Sequence, residues 1–102
     1  MPRGGRTYTP NMAIGRQAHR LQQLPRVQAE FPNHVDTVVQ ILDLFDLAWH
    51  DCYGEVNPPE SVIDDIFVTA GGDLALLIDA THLAVQDWRD LKVRADQSRQ
   101  LG

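Results

Sequence analysis

The chain has 102 residues, 43% of them apolar and 23% charged, with a formal charge of −5. These are the values of one folded domain with a single core, and they exclude wholesale disorder. Cys52 is the single cysteine, which excludes an intrachain disulfide framework.

No apolar run reaches the ~20 residues of a membrane span. The opening "MPRGGRTYTP" lacks the apolar stretch of a secretory signal, so the expectation is a soluble cytoplasmic protein without membrane contact. Charge is unevenly divided. Residues 1–30 hold five arginines against Glu30 alone, about +4; residues 31–102 hold thirteen acids against four basic residues, about −9. The arrangement suits a basic segment lying on its own acidic body. It argues against direct nucleic-acid binding, because that body would repel a phosphate backbone.

Residues 1–10, rich in Gly, Pro and Arg, are expected to form a flexible tail in which Thr7, Tyr8 and Thr9 are ordinary. A single helical domain is expected over 11–102. The first helix spans "NMAIGRQAHRLQQL", with a thin apolar row at Ile14, Ala18, Leu21 and Leu24. Gly15 weakens it and Pro25 is expected to end or kink it. In the second helix Asn33 is the expected cap, Asp36 favours the first turn, and Gly54 is the stop. Val35, Val38, Leu42, Phe45, Trp49 and Cys52 form its apolar stripe, at spacings of three and four.

"NPPE" at 57–60 opens the third helix, with Asn57 as cap, Pro58 at the first position and Glu60 completing a capping box. Val62, Ile63, Ile66, Phe67 and Ala70 are its core face, and Gly71-Gly72 closes it. Asp73 caps a fourth, unbroken helix to about Gln97. Its row is Leu74, Leu77, Thr81, Ala84, Trp88, Leu91 and Ala95, widened by Leu76, Ile78, Leu83 and Val85. No strand pattern appears. The fold class is all-α, a small bundle of three to four helices.

At 1.5 Å per residue the last three helices would measure roughly 30, 16 and 37 Å. The short third helix cannot cover the long fourth, so Trp88, Leu91 and Ala95 need another surface. Leu44 and Leu47 also point away from their own stripe. The expected answer is completion by a homodimer, with Leu44, Leu47, Trp88, Leu91 and Ala95 at its interface. Trp49 and Trp88 are both expected to be buried.

"AWHDCYGE" at 48–55 gathers an imidazole, a thiol and two carboxylates. His50, Asp51 and Cys52 diverge on the wheel, and zinc needs ligands converging at ~2.0–2.3 Å. The segment reads instead as a helix end with Cys52 as a small core residue. Asp43, Asp46 and His50 share one helix edge, and Asp87 and Asp90 repeat the i, i+3 carboxylate pair. Asp79 and His82 pair an acid with an imidazole at the same spacing. Such helical carboxylates build di-metal sites and Mg-dependent all-α hydrolases, but those generally use the longer Glu. A solvated acidic face is the expectation, with no metal and no cofactor.

Arg16, His19, Arg20 and Arg26 read as an intramolecular or intersubunit clamp on acidic helices rather than a phosphate site, since no aromatic residues interleave them. His34 reads as a helix-start histidine. Serine-nucleophile, phosphate-loop and dinucleotide motifs are absent.

The stretch "DLAWHDCYGEVNPPESVIDDI", running on to "AVQDWRDL", resembles small acidic uncharacterised proteins of actinobacteria over about residues 32–95. One lysine beside eight arginines agrees with a GC-rich coding sequence. The resemblance implies no activity. The expected function is a non-catalytic binding or regulatory module acting through an unidentified protein partner. A metal-dependent hydrolase using the Asp pairs and an acidic nucleic-acid mimic are the alternatives.

Overall fold

The computed structural model describes residues 10–101, with side chains from residue 18 onward. The tail over 1–9, and the side chains of Ile14 and Arg16, lie outside the described residues. Four helices follow in order: α1 (Pro10–Glu30), α2 (Val35–Tyr53), α3 (Glu60–Ala70) and α4 (Leu74–Leu101). Among the described residues there is no strand, and no helix is long and apolar enough to cross a membrane.

Helix α1 runs through Pro25 instead of ending there. Proline removes the N–H that would bond the Leu21 carbonyl, yet Leu21 is 63% exposed and Pro25 is exposed too. Water can serve that carbonyl, which lowers the cost of the missing bond. The buried face of α1 is also not the expected one. Ala18 and Leu21 are exposed, while His19, Gln23, Val27 and Phe31 are buried at a strict spacing of four. Over the described side chains the docked face is therefore polar at His19 and Gln23 and apolar at Val27 and Phe31.

The caps follow local sterics. His34, not Asn33, precedes α2: its N–H donates to the Phe31 carbonyl at 3.0 Å, and its own carbonyl accepts from Val38 at 2.9 Å. Buried Phe31 fixes this turn. Helix α3 begins at Glu60 after Pro59, not at Pro58. Pro59 disfavours helical backbone at Pro58, so the carbonyl of Pro59 becomes the first acceptor, from Val62 and Ile63. Asn57 therefore makes no cap. Gly54 and Gly71, both in the left-handed region, end α2 and α3 as expected.

Asp73 caps α4 as expected, its Oδ1 accepting from Leu76 N–H at 3.0 Å. The expectation of one unbroken helix fails at Asp87, where φ is −160° and ψ is 86°. There Oδ1 accepts from the backbone N–H groups of Arg89 and Asp90, at 3.2 and 3.3 Å. Asp87 is thus the N-cap of a second helical arm, residues 88–101. That arm folds back along α3, where Arg99 bonds Asp64 and Asp65. Leu91 and Ala95 are fully buried within the chain. The surplus apolar row at Leu91 and Ala95, expected to need a second copy, is covered by the bend.

The core runs through all four helices, from Val27 and Phe31 through Val38, Phe45, Ile63 and Phe67 to Leu77 and Leu91. Replacing Asp87 by Ala should remove the cap that starts the second arm, at about 1 kcal/mol. Hydrogen exchange is the check: faster exchange at residues 88–92, with α3 unchanged, is expected. Unaltered protection across that turn would remove Asp87 from the role.

Candidate functional site

The carboxylates proposed for a metal do not come together. Asp43 pairs with Arg20 at 2.9 Å, and Asp46 bonds His19. The His50 Nδ1–H donates to the Glu55 carbonyl at 3.0 Å. Asp87 is spent on its cap, and Asp90 faces Arg94 at 3.9 Å on the same arm. Among the described residues no three His, Cys, Asp or Glu side chains converge to hold a metal ion. Asp79 and His82 are both exposed on the first arm of α4. Cys52 is exposed, not a core residue, because it lies at the last turn, past the surfaces that cover Trp49.

What converges instead is a chain of ion pairs between the basic and acidic parts of the sequence. The His19 ring is 5% exposed and sits between two carboxylates. Nδ1 lies 3.0 Å from Asp46 and Nε2 lies 3.2 Å from Glu60. Both partners are acceptors, so both bonds are made only by the doubly protonated imidazolium. The hydrogen bond to Asp46 raises the pKa of His19 from its ordinary 6.5; burial opposes this, and the Asp46 and Glu60 charges add to it.

Gln23 Nε2 donates to the other oxygen of Glu60 at 2.9 Å. Arg26 reaches Glu30 at 2.7 Å and Asp64 at 2.6 Å. Of the residues expected to clamp acidic helices within the chain or between subunits, His19, Arg20 and Arg26 do so within the chain, and the Arg16 side chain lies outside the described residues. Asp46 departs from the expected solvated face, since it is buried. At the far end Arg99 ties Asp64, Asp65 and Asp96 together. The Arg26 bond, and then the Arg99 bond, hold the Asp64 carboxyl below its usual range against opposing burial. These groups are occupied by one another, except that the second oxygen of Asp46, Oδ1, is buried with no hydrogen-bond partner.

One open surface is apolar. Leu44 is 66% exposed and Leu47 is also exposed, as expected from the wheel. Beside them a groove of about 400 Å³ runs between α2 and the first arm of α4. Ile41, Leu44, Ala48, Ile78 and Val85 line it, and His82 is its one ionisable residue. Of the other residues placed at an interface, Leu91 and Ala95 are internal, and Trp88 is 36% exposed rather than buried. Trp88 faces a different cleft, with Trp49, Tyr53 and Glu55, which sequence reasoning missed. The signal was present: Asp87, with Asp90 three residues on, has the pattern of a helix start. Set against protein-family models, curated proteins and solved structures, the chain matches none.

Proposed function

We propose that this chain is a non-catalytic helical binding module that acts through protein contacts, beginning with a second copy of itself. The observation that carries the reading is the groove between α2 and α4. It is apolar, it contains no carboxylate, and it lies beside the exposed ridge of Leu44 and Leu47. A two-fold interface needs one patch to complement itself, and a face with both ridge and groove does so. Two chains of like charge can approach there without opposing carboxylates across the groove. The acidic face supports a nucleic-acid mimic poorly, because Asp43, Asp64, Asp65 and Asp96 are already paired with Arg or Lys.

Sedimentation velocity over about 1–100 μM tests the reading. The expected result is the mass of two chains, reduced to one by Leu44→Asp, with the helical circular dichroism signal retained. Leu44 is the right target because Leu91→Asp would strike the core. A wild-type monomer throughout that range overturns the dimer.

A further inference from the structure

We propose that the cleft between Tyr53 and Trp88 binds a methylated ammonium group, with Glu55 as its counter-charge. The cleft, of about 370 Å³, lies where the end of α2, the 54–59 loop, the start of α3 and the bend of α4 meet. That size falls within the range of small-ligand sites. Buried Trp49 is the floor, its ring centroid 4.3 Å from that of Tyr53. Tyr53 and Trp88 are the part-exposed walls, and Pro59, Ser61 and Val62 complete the lining.

The polar tips of the floor and of one wall are already used. The Tyr53 hydroxyl donates to the Val85 carbonyl at 3.0 Å, and the Trp49 indole N–H donates to Glu55 Oε1 at 2.8 Å. The cleft therefore offers ring faces, one carboxylate and the small hydroxyl of Ser61, with Tyr53, Trp49 and Glu55 held in place before any ligand arrives. The break at Asp87 makes Trp88 the first residue of the second arm and so places it here.

Each of these features favours a cation. The π faces of Trp and Tyr attract positive charge. Glu55 has no ion-pair partner among the described residues. The last carbonyls of α2, at the negative end of its dipole, lie beside Tyr53. Against this, the Arg89 guanidinium already lies over the Trp88 ring, 5.1 Å from its centroid, and a ligand must compete with it. Arg89, and His50 when protonated, are the nearby positive groups that oppose a ligand. A primary ammonium is strongly hydrated and would lose much on entering an apolar box. A methylated ammonium gives up its water more readily and presents methyl groups to the rings.

Tryptophan fluorescence and calorimetry should read saturable binding of two probes, choline and a trimethyllysine peptide. The neutral isostere 3,3-dimethylbutanol should bind at least about tenfold more weakly, because it lacks the charge that rings and carboxylate recognise. A tenfold preference for the peptide assigns the group to a protein side chain, and a preference for choline assigns it to a small molecule. Trp88→Ala should abolish binding. Glu55→Gln, on an exposed loop residue, should weaken it about tenfold with the fold unchanged. The proposal is overturned if neither cation saturates by about 50 mM, if the isostere binds as well, or if Glu55→Gln binds like wild type.

Discussion

Phe67→Ala is expected to cost about 3–5 kcal/mol, which for a domain of this size lowers the melting temperature by about 12–40 °C. Phe67 is fully buried and among the largest side chains in that state. Its ring stands 6.2 Å from that of Phe31 at an angle of 54°, and the Arg26 guanidinium lies over it at 4.6 Å. The residue thus joins the end of α1 to α3. Truncation removes the transfer free energy of the ring and leaves a cavity that three helices cannot close together. Arg26 keeps its bonds to Glu30 and Asp64, so no charge is orphaned by the change. Phe67→Leu keeps most of the volume and should cost less than about 1.5 kcal/mol. Trp49→Ala belongs in the same high range, since Trp49 is buried, whereas part-exposed Trp88 should lose less. Thermal unfolding of the four variants checks the ordering. An alanine variant at 67 that melts within a few degrees of wild type would displace the core from this site.

The helices of this fold were legible because their stripes are long and periodic. Val38, Leu42, Phe45 and Trp49 are buried as the spacing implied, as are Ile63, Ile66 and Phe67. The errors lie where a local effect outweighs the period. Three-four spacing continues through Asp87, so periodicity alone cannot reveal that its side chain captures two backbone N–H groups and restarts the helix. Reading that residue as a cap would have shown that the second arm turns back, and that Leu91 and Ala95 need no external cover. In α1 the apolar letters Ala18 and Leu21 pointed to the wrong face. The buried face there carries His19 and Gln23, whose partners Asp46 and Glu60 are 27 and 41 residues away from His19 in sequence. Such pairing is invisible to a wheel, although the opposed charges of the two parts of the chain indicated that they meet. The groove was half legible: Leu44 and Leu47 were seen to point outward, while its other wall depends on how α4 packs. The aromatic cleft needed the bend, whose only signal in the sequence was the helix-start pattern at Asp87 and Asp90.

Asp46→Ala is expected to cost about 3 kcal/mol, at the lower end of the range for breaking a buried pair. His19 and Asp46 both have side chains only 5% exposed, so the imidazolium would lose its closest counter-charge while staying buried. Glu60, which is more exposed, still reaches Nε2, and that keeps the loss from the upper end. The same geometry makes the docking of α1 dependent on pH. The groups facing the ring are Asp46 and Asp43 from α2, Glu60 from α3, and Arg20 and Gln23 from α1 itself. The folded pKa of His19 lies above its ordinary 6.5. Its contribution is therefore complete below pH 6.5 and is lost as pH rises through the folded value, because the unfolded chain releases the proton first. Asp64 works in the opposite sense and in another window. Its pKa is lowered from 3.8, so its stabilisation is lost only on acidification below that value. Urea unfolding should accordingly show greater stability near pH 6 than near pH 8.5. His19→Gln should flatten that difference, since a neutral amide makes no charged pair at either pH. Hydrogen exchange at pH 8.5 should place the loosening around residues 18–24 of α1, with α3 and the first arm of α4 still protected. A wild-type stability that is level or rising from pH 6 to 8.5 would remove the imidazolium from the centre of this clamp.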